Sequence, residues 1–157
     1  MRIKYNRVST LGQTGNRFQE DKEHYDLVLL DKVSGKVPFK ERVGGKKIVK
    51  LVEEGKVTEV VFTELSRSGR DTQDVIKTMA YLDENNVAVL IQNLGIRSIQ
   101  DGVKNPMFKL MTSIISSIAE LELENIKERI QAGRAVYQAN GGVWGRPAGT
   151  NESEKKL

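Results

Sequence analysis

Four short runs of branched and aliphatic residues, RIKYNRV (2–8), YDLVLLD (25–31), VTEVVFTEL (57–65) and VAVLIQN (87–93), limit what this chain can fold into. Each is bounded by polar or glycine-bearing turns, the pattern of a β-strand. The stretches between them have a helical period. In KERVGGKKIVKLVEEGKV, Val43, Ile48, Leu51 and Val52 share a face and Gly55 is placed to end the helix. In DTQDVIKTMAYLDENN, Val75, Ile76, Met79 and Leu82 repeat at helical spacing behind an Asp71 cap. Strands alternating with helices predict an α/β fold with a mostly parallel central sheet flanked by helices. Working sites in such sheets lie beyond the carboxyl ends of the strands. Ser9, after the first strand, and SRSGRD (66–71), after the third, are therefore expected at one edge.

After Asn105-Pro106 the pattern changes. From Met107 to about Gln138 the stretch holds no proline and only one glycine, Gly133, while Met107, Met111, Ile114, Ile118 and Leu121 follow a helical stripe continued by Ile126 and Ile130. A helix of some thirty residues extends about 45 Å, more than the width of a small domain. Its apolar first half suits contact with the sheet domain or with a second copy of itself; its second half, ENIKERIQAGRAVYQ, is charged. The tail, ANGGVWGRPAGTNESEKKL, is glycine-rich and then polar, and reads as an arm and linker. The expected organisation is an α/β catalytic core over 1–105, the long helix over 106–138 within the same domain, and an arm over 139–157.

At 157 residues the chain suits one hydrophobic core. Lys and Arg outnumber Asp and Glu by 25 to 21, a formal +4 that suits a polyanionic partner without requiring one. The absence of cysteine removes disulfides and thiolate chemistry, and a single histidine, His24, removes a multi-histidine metal site within one chain. The N-terminus lacks an apolar run after its charges, and no segment has the length of a bilayer span. A cytoplasmic protein without membrane association is the expectation.

The opening YNRVSTLGQ (5–13) sets a serine beside an arginine with no histidine near to take its proton. A serine hydroxyl attacks poorly unless it is deprotonated or its target is strongly polarised. A phosphoryl group supplies the second condition, because guanidinium groups bind its nonbridging oxygens, stabilise transition-state charge and lower the pKa of a neighbouring hydroxyl. Arg7 and Ser9 point to one side if the strand persists that far, and Arg67 and Arg70 stand three apart at a glycine-containing turn.

These segments together resemble the catalytic domain of the serine site-specific recombinases, the resolvase/invertase family. YNRVSTLGQ is similar to the family's Y-x-RVST-x-x-Q opening, DKVSGK (31–36) to its second-strand exit, and LSRSGRD (65–71) to its LDRLGRD. The helix ending in ENIKERIQAGR, followed by GRP (145–147), is similar to its dimerisation helix and DNA-following arm. The resemblance covers almost the whole chain. It implies site-specific strand exchange on double-stranded DNA, by a dimer that pairs into a tetramer, without cofactor or metal. Ser9 would attack the scissile phosphate and become joined to the DNA 5′ end. Arg7, Arg67 and Arg70 would clamp that phosphate, Gln13 would order the loop around it, and Arg42 in KERVGG matches a further family arginine, with Lys40 a competitor. Lys127, Arg129 and Arg134 on the long helix, and Arg146 in the arm, would meet DNA.

Two departures from the family pattern stand out. Ser66 occupies the place of the family aspartate before the first arginine of LDRLGRD, so Glu64 or an arginine is left to serve in its stead. Gln19 lies one residue further from Gln13 than the family spacing. Full-length family members carry a helix-turn-helix after the arm, and none is expected in 139–157. Three rival readings stand beside it: a catalytically weak or inactive oligomerisation and regulatory domain, a metal-dependent nuclease using Asp31, Glu64 and Asp71, and a plain phosphate-ligand binding domain.

Overall fold

A computed structural model describes residues 1–9 and 23–143. Gln13, Gln19 and Arg146 lie outside them. The chain divides into two compact units, Met1–Ala119 and Glu120–Leu157.

The first unit is built on a five-stranded sheet. Its strands are β1 (Arg2–Val8), β2 (Leu27–Lys32), β3 (Glu59–Phe62), β4 (Ala88–Ile91) and β5 (Ile96–Arg97), in the order β2-β1-β3-β4-β5. The first four run parallel and β5 closes the edge antiparallel to β4. The register sets Arg7 opposite Asp31 and Tyr5 opposite both Leu29 and Phe62. From β1 the connections lead to β2 on one side and to β3 and β4 on the other, so the strand order reverses between β1 and β3. In open parallel sheets a ligand crevice forms at such a reversal, outside the carboxyl ends.

Helix α1 (Val43–Glu53) follows β2 and α2 (Thr72–Glu84) follows β3. Ile48 and Val52 of α1, and Val75, Met79 and Leu82 of α2, are buried against Ile3, Val60, Phe62, Val89 and Ile91 of the sheet. Val43, expected on the buried face of α1, is instead exposed, because it is the first helical residue and sits beyond the sheet-covering turn. Tyr5, Phe39 and Phe62 meet edge to face with ring centres 5.2 to 5.7 Å apart, the arrangement their ring quadrupoles favour. Gly55, at φ +66°, ends α1: the Gly55 and Lys56 amides donate back to Val52 and Leu51. Asp71 caps α2 by accepting from the Asp74 amide at 2.8 Å.

A small hairpin, β6 (Ile99–Gln100) and β7 (Val103–Lys104), precedes the long helix. Asp101 and Gly102 turn it with φ of +52° and +77°. An Asp-Gly pair is a strong two-residue hairpin signal, although strands of two residues show no alternation to read. Helix α3 runs Pro106–Ala139, 34 residues. In the first unit its Phe108 and Met111 join the core and Ala119 is buried. The adjacent stripe of Met107, Leu110, Ile114 and Ile118 is exposed. In the second unit Leu121, Ile126 and Ile130 are exposed as well. Among the described residues no helix is long and apolar enough to cross a membrane.

Candidate active site

The parallel register brings three chain segments out at one edge of the sheet: the end of β1 at Ser9, the Val33–Val37 turn after β2, and the turn from Glu64 to Arg70 after β3. Ser9 itself is exposed. Three arginines come together at this edge. Arg7, on β1, is buried and donates through Nη1 to the Val33 carbonyl at 3.0 Å. The turn after β2 passes so close that a Cβ at Gly35 would lie 3.3 Å from Arg7 Nη2. Arg42, the residue before α1, is 1% exposed. It donates through Nε to the Val37 carbonyl at 2.9 Å and through Nη1 to the Arg67 carbonyl at 2.5 Å and the Tyr5 hydroxyl at 3.4 Å. Arg67 closes a short 3-10 turn, Leu65–Arg67, and pairs through Nη2 with Glu64 at 3.1 Å.

Their mutual proximity is visible electrostatically. Burial first, and then the charges of Arg67 and Arg42, push the Arg7 guanidinium below its usual pKa, with Glu64 opposing. Arg7 Nε, Arg42 Nη2 and Arg67 Nε are buried and find no hydrogen-bond partner among the described residues. Burying a donor without a partner costs stability, and so does gathering like charge. An anion docked beside the guanidinium groups would relieve the crowding of like charge.

Arg70 stands apart from these contacts. It is half exposed and pairs with Asp71 at 2.9 Å. Lys40 is drawn away as well, lying 3.9 Å above the centre of the Tyr81 ring. On α3, Lys127, Arg129 and Arg134 are exposed. Lys127 and Arg134, seven residues apart, share a helix face, while Arg129 lies on the opposite one.

Behind the arginines is a support that sequence reasoning did not assign. The Tyr5 hydroxyl donates to Asp31 Oδ2 at 2.9 Å, and the Asp31 carboxylate also accepts from the Gly44 amide. Burial raises the Tyr5 hydroxyl pKa far above its usual value, so it stays a donor. Asp74 performs a second linkage: one carboxylate oxygen accepts from the amides of Phe39 and Arg70, each at 2.8 Å. The segment carrying Arg42 and the turn carrying Arg67 are thereby tied to the start of α2. The two-residue spacing from Tyr5 to Arg7 on β1 was the available signal for Tyr5; Asp74 had none beyond its place in the first helical turn. Asp31, Glu64 and Asp71 are each engaged with different partners, and no group of three or more metal-ligating side chains able to hold an ion occurs among the described residues.

Comparison with known proteins bears on this arrangement. The model of the resolvase N-terminal domain matches residues 2–143. The transposon Tn2501 resolvase of Escherichia coli is 29% identical over 157 residues, covering 96% of this chain and 78% of the relative. The DNA-invertase hin of Salmonella typhimurium is 30% identical, covering 98% of this chain and 77% of the relative. Among solved structures, a resolvase family site-specific recombinase from Streptococcus pneumoniae superposes with a TM-score of 0.67 at 24% identity, over 88% of this chain and 97% of that one. Because the family match runs unbroken from β1 through α3, taking in every segment that contributes to the arginine cluster, this chain belongs to the resolvase N-terminal domain family.

Proposed function

We propose that this chain catalyses site-specific DNA recombination by cutting and rejoining strands through a covalent phosphoserine. The observation that carries the reading is the convergence of Arg7, Arg42 and Arg67, each with a buried nitrogen that has no partner among the described residues, at the sheet edge where the exposed Ser9 follows β1. Family membership and the names of the relatives, resolvase and DNA-invertase, support the same reaction.

In the reaction a DNA phosphate docks on the guanidinium groups, which take up the charge that builds on its nonbridging oxygens. Ser9 Oγ attacks phosphorus. The new Oγ–P bond forms as the P–O3′ bond breaks, the serine proton is lost, and the departing 3′ oxygen gains a proton to become a hydroxyl. The DNA 5′ phosphate is then esterified to Ser9. Attack by a 3′ hydroxyl reverses the steps and reseals a strand, so the bond energy is kept and no nucleotide is consumed. Arg70 completes the phosphate contacts, Gln13 orders the loop around them, and Lys127, Arg129, Arg134 and Arg146 bind the DNA backbone and groove. The chain works as a homodimer that pairs into a tetramer, supported by the exposed apolar row on α3, and acts in the cytoplasm, where its substrate lies.

The test is to incubate the protein with duplex DNA from the regions flanking its own gene, denature the mixture, and look for a protein–DNA adduct. A 5′-linked adduct that disappears in Ser9→Ala supports the enzyme. Absence of any adduct supports the regulatory reading instead, and chelator-sensitive cleavage that survives Ser9→Ala supports a metal nuclease.

A further inference from the structure

We propose that Glu64 is a positioning residue for Arg67, held in place by Ser66, so that the two side chains together aim the guanidinium at the phosphate. This rests on the recombinase reading above. Glu64 leaves β3 with extended backbone, φ −145° and ψ 151°, immediately before the turn Leu65–Arg67. Its side chain folds back over that turn. One carboxylate oxygen, Oε2, forms an ion pair with Arg67 Nη2 and accepts from Ser66 Oγ, both at 3.1 Å.

The division of labour within Arg67 follows from its contacts. Arg42 grips the Arg67 carbonyl, and the Arg67 amide donates to the Glu64 carbonyl at 3.0 Å, so the backbone of the residue is anchored. What those bonds leave undetermined are the side-chain torsions. Glu64 constrains them by pairing with Nη2, which sets the plane of the guanidinium. An arginine fork held at one nitrogen presents the remainder in a fixed plane, which a flexible side chain does not. Ser66 contributes by taking one freedom from the carboxylate. Glu64 is about half exposed, its side chain 48% accessible, so the ion pair by itself stabilises the fold little. Its worth is geometric, and removing it leaves the protein folded.

Position 66 offers a stringent control. Its hydroxyl already lies within hydrogen-bond distance of the oxygen that binds Arg67, so a carboxylate grown from residue 66 reaches the same guanidinium. Glu64→Ala is expected to slow formation of the Ser9–DNA adduct roughly tenfold, with DNA affinity changed by no more than about twofold. The double variant Glu64→Ala/Ser66→Asp is expected to recover most of the rate. Adduct formation at the wild-type rate in Glu64→Ala, or a slow double variant, overturns the proposal. If the wild-type protein forms no adduct, the recombinase reading falls, and the Arg67 side-chain Nε–H resonance decides the positioning role separately. It should be narrow in wild type, broadened in Glu64→Ala and narrowed again in the double variant; an unchanged resonance in Glu64→Ala overturns the role.

Discussion

The Arg42 guanidinium donates to the main-chain carbonyl of Arg67 at 2.5 Å, binding the entry to α1 to the turn that follows β3. Two residues 25 positions apart are thus held as one unit, and the same guanidinium reaches Val37 and Tyr5. Arg42→Lys keeps the charge but cannot make the Nε and Nη1 bonds together. It should destabilise the protein by about 2 kcal/mol, read as a lower urea midpoint with an unchanged slope, and should abolish adduct formation.

The crowded positive charge around Arg7 gives a second expectation. An anion that binds only the folded cluster stabilises it, by about 2.7 kcal/mol when present at a hundred times its Kd. Phosphate or sulfate should therefore raise Tm more than chloride at equal ionic strength. In Arg7→Gln the rise should be blunted, while Tm without the anion stays close to wild type, because relief of the repulsion offsets the lost bond to Val33. Scanning calorimetry in the two salts checks both.

Gly45 tolerates no side chain. A Cβ there would sit 1.8 Å from the Phe39 carbonyl oxygen, a backbone atom that cannot step aside without moving the aromatic cluster. Gly45→Ala should cost more than about 3 kcal/mol, measurable as loss of the cooperative unfolding transition near room temperature. Gly133→Ala meets nothing within 4 Å and lies inside α3. It should be neutral or stabilising by up to about 1 kcal/mol.

Acid should weaken the start of α2. The Asp71 carboxyl lies below its usual pKa, chiefly because the Asp74 amide donates to it and secondarily because Arg70 does. A carboxyl depressed by folding stabilises above its unfolded pKa, near about 4, and loses that contribution as pH falls through the lower folded value. Asp71→Ala should cost about 1 kcal/mol at pH 7. The gap from wild type should close below about pH 4, which parallel urea melts across pH will show.

Much of this architecture could be read along the chain. β1 was legible to the residue because RIKYNRV is bounded sharply, whereas β2 begins at Leu27 rather than Tyr25 because Tyr25 and Asp26 turn aside, the Asp26 carboxylate accepting from the Arg2 amide. The long helix announced itself by its length. Its buried face was only partly legible: of the periodic stripe, Met111 packs on the core while Met107, Ile114, Ile118 and Leu121 are exposed, and Phe108, outside the stripe, is buried. Periodicity identifies an apolar face without saying what covers it. At the site, Arg7 and Arg67 were legible from strand exits, but the burial of Arg42 was not, since KERVGG looks solvent-facing until Phe39 enters the core. The Glu64–Ser66 contact depends on a fold-back within the turn that no linear pattern records.

Arg7 and Arg42 are fastened to the peptide carbonyls of Val33, Val37 and Arg67. Carbonyl groups carry no titrating proton and belong to no particular side chain. The positive nest therefore persists through acidity that would release arginines clamped by carboxylates, and drift among neighbouring surface acids leaves it intact. Arg67, leaning on Glu64, is the one member whose setting a single codon change can retune.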